Sequence, residues 1–211
     1  MKKILMGIKR GILAGICISV AAVAYLSAES AVAGGFLFGL GLLSIYTFNW
    51  DLYTGKCCYM VEHPKEYAPQ VLTSFIGNMI GTIACGYLIR LSGLHIIETA
   101  DAAVVTKLGY ELYEAFILAI FCGIMMCIAV KGYKAQKTEI GKAIIVLFPV
   151  CIFIIAHFEH SIANLFYFSL ANAWSGEAVL YIFICALGNL VGCSVLPFLQ
   201  TLGSKGEAET H

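Results

Sequence analysis

Two short polar clusters stand inside otherwise apolar stretches of the chain: Asp51, Leu52, Tyr53, Thr54, Gly55, Lys56 and, further on, Phe158, Glu159, His160, Ser161. An ionisable group at mid-membrane costs about 2.5 to 3.5 kcal/mol on insertion scales, so Asp51, Glu159 and His160 require partners or a cavity. His160 is the side chain of the second cluster that exchanges a proton near neutrality. Facing Thr54, it could hydrogen-bond a passing anion, give it a proton, or hold one tautomer as a polar rung. Glu159 and Asp51 read as caps of the half-helices that follow, because a bare carboxylate in the path would repel anions. A mutually satisfied Glu159–His160 pair is the plainer alternative. Lys107 could concentrate anions at a mouth or be a solvated surface lysine. His157 is assigned no role beyond polar packing.

Oil is the solvent these clusters imply, and the composition agrees. Of 211 residues, 60% are hydrophobic and 12% charged, with a mean hydropathy of +0.87. A soluble domain carries nearer a quarter charged residues, which argues against a soluble enzyme. Thirteen Lys plus Arg balance thirteen Asp plus Glu, so there is no basic surface for nucleic acid. Apolar stretches at 11–28, 31–50, 71–89, 108–130, 143–173 and 178–201 predict six crossings. The fifth contains the second cluster and the second runs into the first, so a break is expected at each. The basic start followed by an apolar run reads as a retained first helix. With the first residue inside, eleven Lys and Arg, Lys205 among them, fall on the inner side; only Arg90 and Lys107 fall outside. Both termini are therefore expected in the cytoplasm. The nine cysteines show no metal-ligand spacing and read as small core hydrophobes.

The halves repeat. Gly77-Asn78-x-x-Gly81 recurs as Gly188-Asn189-x-x-Gly192 at an offset of 111, and the two breaks lie about 107 apart. Three crossings per half make the second copy inverted, with approximate limits 9–92 and 108–201 and a polar tail at 202–211. Half-helices starting near Thr54 and Ser161 would aim their positive ends at one point from opposite sides, which favours an anion there. Leu52 and Tyr53, within a break, fit an apolar collar beside the polar rung. Phe38 and Leu42 lie one helical turn apart and Phe153 two turns before His160, and on that ground alone they read more readily as core or lipid-facing residues.

Phe158-Glu159-His160-Ser161-Ile162-Ala163-Asn164 resembles the FEHSIAN signature of the formate/nitrite transporter family, and Asp51-Leu52-Tyr53-Thr54-Gly55 resembles its D/E-L-F-T-G loop. The lysine before the fourth span and the Gly/Asn pairs extend the resemblance over nearly the whole chain, which within the family is most similar to the hydrosulfide-channel branch. The resemblance implies an all-α integral membrane protein: six transmembrane helices in an aquaporin-like 3+3 inverted repeat, one channel domain over 1–211, assembled as a homopentamer in the bacterial cytoplasmic membrane. It implies Thr54, His160, Lys107 and Asn164 as polar pore residues, with Phe38, Leu42, Leu52, Tyr53 and Phe153 at constrictions. His157 replaces the glycine usual before the signature, and Tyr53 the usual loop phenylalanine. The function expected is passage of a small monovalent anion of a weak acid, hydrosulfide first, without cofactor, metal or enzymatic step. A proton-coupled formate or nitrite transporter is the alternative, and a membrane redox or cofactor-binding protein the rival from another class.

Overall fold

The computed structural model describes the backbone of residues 1–208 and the side chains of 1–202. The Lys205 side chain and the end of the expected polar tail lie outside the described residues. The fold is all-helical: α1 (Lys2–Leu26), α2 (Ala31–Thr47), α3 (Tyr53–Cys57), α4 (Pro64–Leu91), α5 (Ile96–Leu108), α6 (Leu112–Ala135), α7 (Glu139–Ile155), α8 (Ser161–Ala171) and α9 (Gly176–Ala208). Within the described residues, α1, α4, α6 and α9 are each long and apolar enough to cross a membrane. Large apolar side chains such as Leu72, Leu88, Phe121 and Phe183 point outward, as lipid contact requires. The protein is a multi-pass membrane protein.

The two halves use the same devices at matching positions. Ser30 and Thr138, 108 residues apart, cap α2 and α7 by accepting from the N–H groups of Ala33 and Gly141. Both helices then end in the same way. Asn49 and Trp50 donate back to the carbonyls of Tyr46 and Ile45; His157 and Phe158 donate to those of Ile154 and Phe153. This double closure needs a left-handed residue, and Asn49 (φ 56°) and His157 (φ 54°) supply it. A glycine at either position would adopt this conformation without strain. After each closure the chain runs extended for a few residues and starts a new helix, α3 at Tyr53 and α8 at Ser161.

The long helices pair within each half, α1 against α4 and α6 against α9, while α2 against α7 joins the halves. Glycines permit the close crossings. A Cβ on Gly77 would strike Ile8 O and the Cα of Gly11, and one on Gly192 would strike Ile120 O. The GNxxG repeat therefore marks the two tight crossings. Between the halves, residues 96–108 form α5. Its Ile96, Ala100 and Val104 are buried at four-residue spacing, and α5 packs on α8. That contact places Lys107, in its last turn, over the second break.

Substituting Gly192 with Val should force α6 and α9 apart. Overpacking of this kind costs about 1–3 kcal/mol or more, so the variant is expected to melt lower, or fail to purify as a monodisperse species, in a detergent thermal-shift measurement. Ala at Ala119, which faces the same crossing, is the natural residue and marks the size that is tolerated.

Candidate functional site

Breaking a helix in oil strands backbone N–H and C=O groups, and each unsatisfied group is costly. The two repeated asparagines meet that demand. Asn78 accepts from Tyr53 N (2.7 Å) and donates to Gly11 O (2.8 Å) and Asp51 O (2.9 Å). Asn189 accepts from Ser161 N (2.9 Å) and donates to Ala119 O (2.9 Å) and Glu159 O (2.8 Å). Each amide thus ties a long helix to the carbonyl before a break and the N–H after it. Both asparagines are fully buried.

The clamps bring the breaks face to face. Thr54 Oγ1 and His160 Nε2 are 3.2 Å apart, both side chains buried. The other ring nitrogen of His160, Nδ1, accepts from Ala163 N at 3.2 Å, so His160 is itself the N-cap of α8. With Nδ1 used as an acceptor, the ring proton lies on Nε2 and points at the threonine. The imidazole stacks on Phe153 (centroids 5.8 Å, 16°), and Phe153 meets Phe38 edge-on (6.0 Å). Phe38, Leu42, Leu52 and Phe153 are all buried. Tyr53 packs edge-on against Phe75 of α4 and donates its hydroxyl to Ala186 O of α9 at 2.9 Å, which fixes the ring and occupies its polar end. Beneath Thr54, the thiols of Cys58 (3.2 Å) and Cys193 (3.3 Å) donate to its carbonyl. These cysteines are polar anchors as well as core filler.

On one side of His160 lies a cavity of about 260 Å³ lined by residues that include Lys107, Glu159, Asn164, Phe153, His157 and Tyr167. Lys107 Nζ sits 2.8 and 2.9 Å from the two carboxylate oxygens of Glu159, with 14% of its side chain exposed, and 5.6 Å above the Tyr167 ring. It is not a solvated surface lysine. Asn164 Nδ2 donates to the same carboxylate at 2.6 Å and contacts Cys185 Sγ at 3.7 Å. Asn164 Oδ1 and Ser161 Oγ are buried without a hydrogen-bond partner among the described residues.

Two expectations are corrected. Neither Glu159 nor Asp51 caps a half-helix with its carboxylate. Glu159 is drawn to Lys107 and Asn164, while Asp51 pairs with Lys56 (2.8 Å) and, more distantly, Arg10 (3.8 Å). Arg10 also donates to Asn49 O. The capping is done by Asn78, Asn189 and His160, whose neutral acceptors satisfy an N–H without adding charge. The alternative of a Glu159–His160 pair is likewise replaced by Glu159 with Lys107. Since Tyr53 N, Ser161 N and Ala163 N all have acceptors, the positive ends of the half-helices are also partly quenched. The asparagines were visible as a repeated motif, but their spacing alone spoke only of close helix packing.

Interrupted helices, a buried polar rung and a cavity leading to it define a membrane-transport type of fold and site. Residues 2–202 match the family profile described as Formate/nitrite transporter. The chain belongs to the formate/nitrite transporter family. It is 28% identical over 235 residues to "Formate channel FocA" of Haemophilus influenzae, covering 88% of this chain and 81% of that protein. It is 30% identical over 181 residues to "Formate channel FocA" of Escherichia coli (strain K12), covering 74% of this chain and 62% of that one. Among solved structures, "Pentameric formate channel with formate bound" superposes with a TM-score of 0.83 at 22% identity, over 95% of this chain and 97% of that chain. "FNT family ion channel" gives 0.79 at 17%, over 95% and 89%. At these identities the two structures bear on the fold.

Replacing Asn189 by Ala removes three buried hydrogen bonds and leaves Ser161 N and Glu159 O unpaired. At roughly 1–3 kcal/mol for each orphaned group, the variant should lose several degrees of melting temperature, and Asn78→Ala should behave alike at the first break. Thermal shift in matched detergent is the measurement; a variant as stable as the parent would deny the clamp.

Proposed function

We propose that the protein is a channel for small monovalent anions of weak acids, with hydrosulfide as the leading permeant and formate and nitrite as the others to compare. The observation that carries this reading is the Thr54–His160 contact at 3.2 Å: a single polar rung, joining two helix breaks, with Phe38, Leu42, Leu52 and Phe153 buried around it. In this reading each interrupted pair, α2 with α3 and α7 with α8, counts as one crossing, giving six in a 3+3 inverted repeat. Tyr53 takes its place with Leu52 at the constriction below the rung. The protomer is one channel domain in a homopentamer of the bacterial cytoplasmic membrane, with the termini cytoplasmic and α5 outside.

A bare anion crosses an apolar collar only at high cost. Two routes lower that cost: a fixed cation at the mouth, or proton pick-up and passage as the neutral acid. Lys107 is neutralised by Glu159, which weakens the first route. His160 presents Nε2–H towards Thr54, and an anion replacing the threonine hydroxyl there would accept that hydrogen bond. Supply of a second proton through Nδ1 requires release of Ala163 N–H, so the rung acts first as a donor that holds the anion while a proton arrives from the cavity side. Hydrosulfide, formate and nitrite can all take that proton; chloride cannot.

In proteoliposomes, the flux of hydrosulfide, formate and nitrite should rise as the pH is lowered, whereas chloride stays near the empty-vesicle rate. His160→Phe should abolish all three, and unchanged flux would remove the rung from the pathway. Lys107→Met is expected to lower flux at least tenfold, because it leaves a buried unpaired carboxylate beside the cavity. Adding Glu159→Gln to it should restore much of the loss. Failure of the double variant to recover would mean that the lysine acts through its charge on the anion directly.

A further inference from the structure

A second histidine faces the same cavity and has no part in the pathway above. His157 lines the cavity alongside Lys107, Glu159 and His160, is exposed, and its imidazole enters no hydrogen bond or ion pair among the described residues. It stands at φ 54°, where a glycine would be free of strain. A bulky polar side chain is thus held at the cavity wall against the backbone's preference.

The charges around it are few. Across the cavity it meets Tyr25 on α1, Lys107 on α5, Tyr110 in the turn after α5 and Tyr167 on α8, with Glu159 and His160 following it in its own break. Helix α6 meets this break with the uncharged Phe121, stacked on Phe158 at 5.5 Å. Lys107 and Glu159 cancel one another at 2.8 Å. The cavity wall therefore carries no uncompensated positive charge until an imidazole there gains a proton. The His160 ring has both nitrogens in hydrogen bonds, whereas neither ring nitrogen of His157 is hydrogen-bonded among the described residues. Histidine is the side chain that gains charge as the pH falls from about 8 to 5.

We propose that protonated His157 supplies the unpaired positive charge of this cavity, drawing the small monovalent anion to the mouth of the pathway when the medium on the α5 side is acidic. His157 is then a recruiting residue, distinct from the rung that passes the anion. The inference rests on the anion pathway proposed above. It gives a histidine held where a glycine would be unstrained a consequence for when the channel loads.

The test is formate influx into proteoliposomes at external pH of about 8 and about 5.5, comparing the parent with His157→Gln, His157→Gly and His157→Arg. Formate's own protonation is common to all, so the ratio of each variant to the parent isolates the residue. At pH 8 the Gln and Gly variants should match the parent. At pH 5.5 the parent's apparent KM should be about fivefold lower than theirs, the scale of one unit charge acting across a solvated cavity, and the gap should shrink in high salt. His157→Arg should show the low KM at both pH values. If Gln and Gly keep the parent's acid response, or Arg gives no gain at pH 8, the proposal fails while the pathway stands. If the parent conducts no formate at either pH, the proposal fails, and the pathway falls with it only if hydrosulfide flux is absent as well.

Discussion

Everything in this fold follows from the need to interrupt two helices inside oil without abandoning their backbone groups. Water cannot satisfy a broken helix there, so side chains must. Asn78 and Asn189 each bind the carbonyl before a break, the N–H after it, and a carbonyl of a neighbouring long helix. The glycines flanking each asparagine let the helices approach closely enough for those bonds to form. The packing motif and the polar clamp are one device, used once in each half.

With the breaks held, charge is arranged so that little of it is free. The acid of each break, Asp51 or Glu159, 108 residues apart, is matched by a lysine at 2.8 Å. The N–H groups that would give the half-helices their positive ends are partly bonded to neutral acceptors. What is left at the centre is a hydrogen-bond donor of fixed tautomer rather than a fixed charge, and His160 owes that tautomer to its duty as the cap of α8. In the proposed pathway, a neutral donor among buried apolar side chains suits a guest that can change its own charge by taking a proton. A strong fixed cation would instead bind an anion too well to release it.

The sequence showed where the chain breaks, because ionisable residues such as Asp51 and Glu159 cannot sit in a lipid-facing helix. The starts of α3 and α8 fall within a residue of the positions read from it. It also showed the repeat, and Thr54 and His160 as partners across it. It did not show who caps whom. Choosing among His160, Glu159 and Asn189 as acceptors for α8 depends on tertiary distances that periodicity does not encode. Nor did it show Lys107 against Glu159, since that contact exists only because residues 96–108 form a helix lying on α8. Glu98, Asp101 and Lys107 give that short segment the composition of a polar connection.

The most direct measurement of the central claim is a double-mutant cycle on hydrosulfide flux, using Thr54→Val, His160→Phe and the pair together. If the two side chains form one rung, each single change disables the same step and the double variant is no slower than the worse single one. If the two effects multiply, Thr54 and His160 act independently, and the meeting of the two breaks is not where the anion passes.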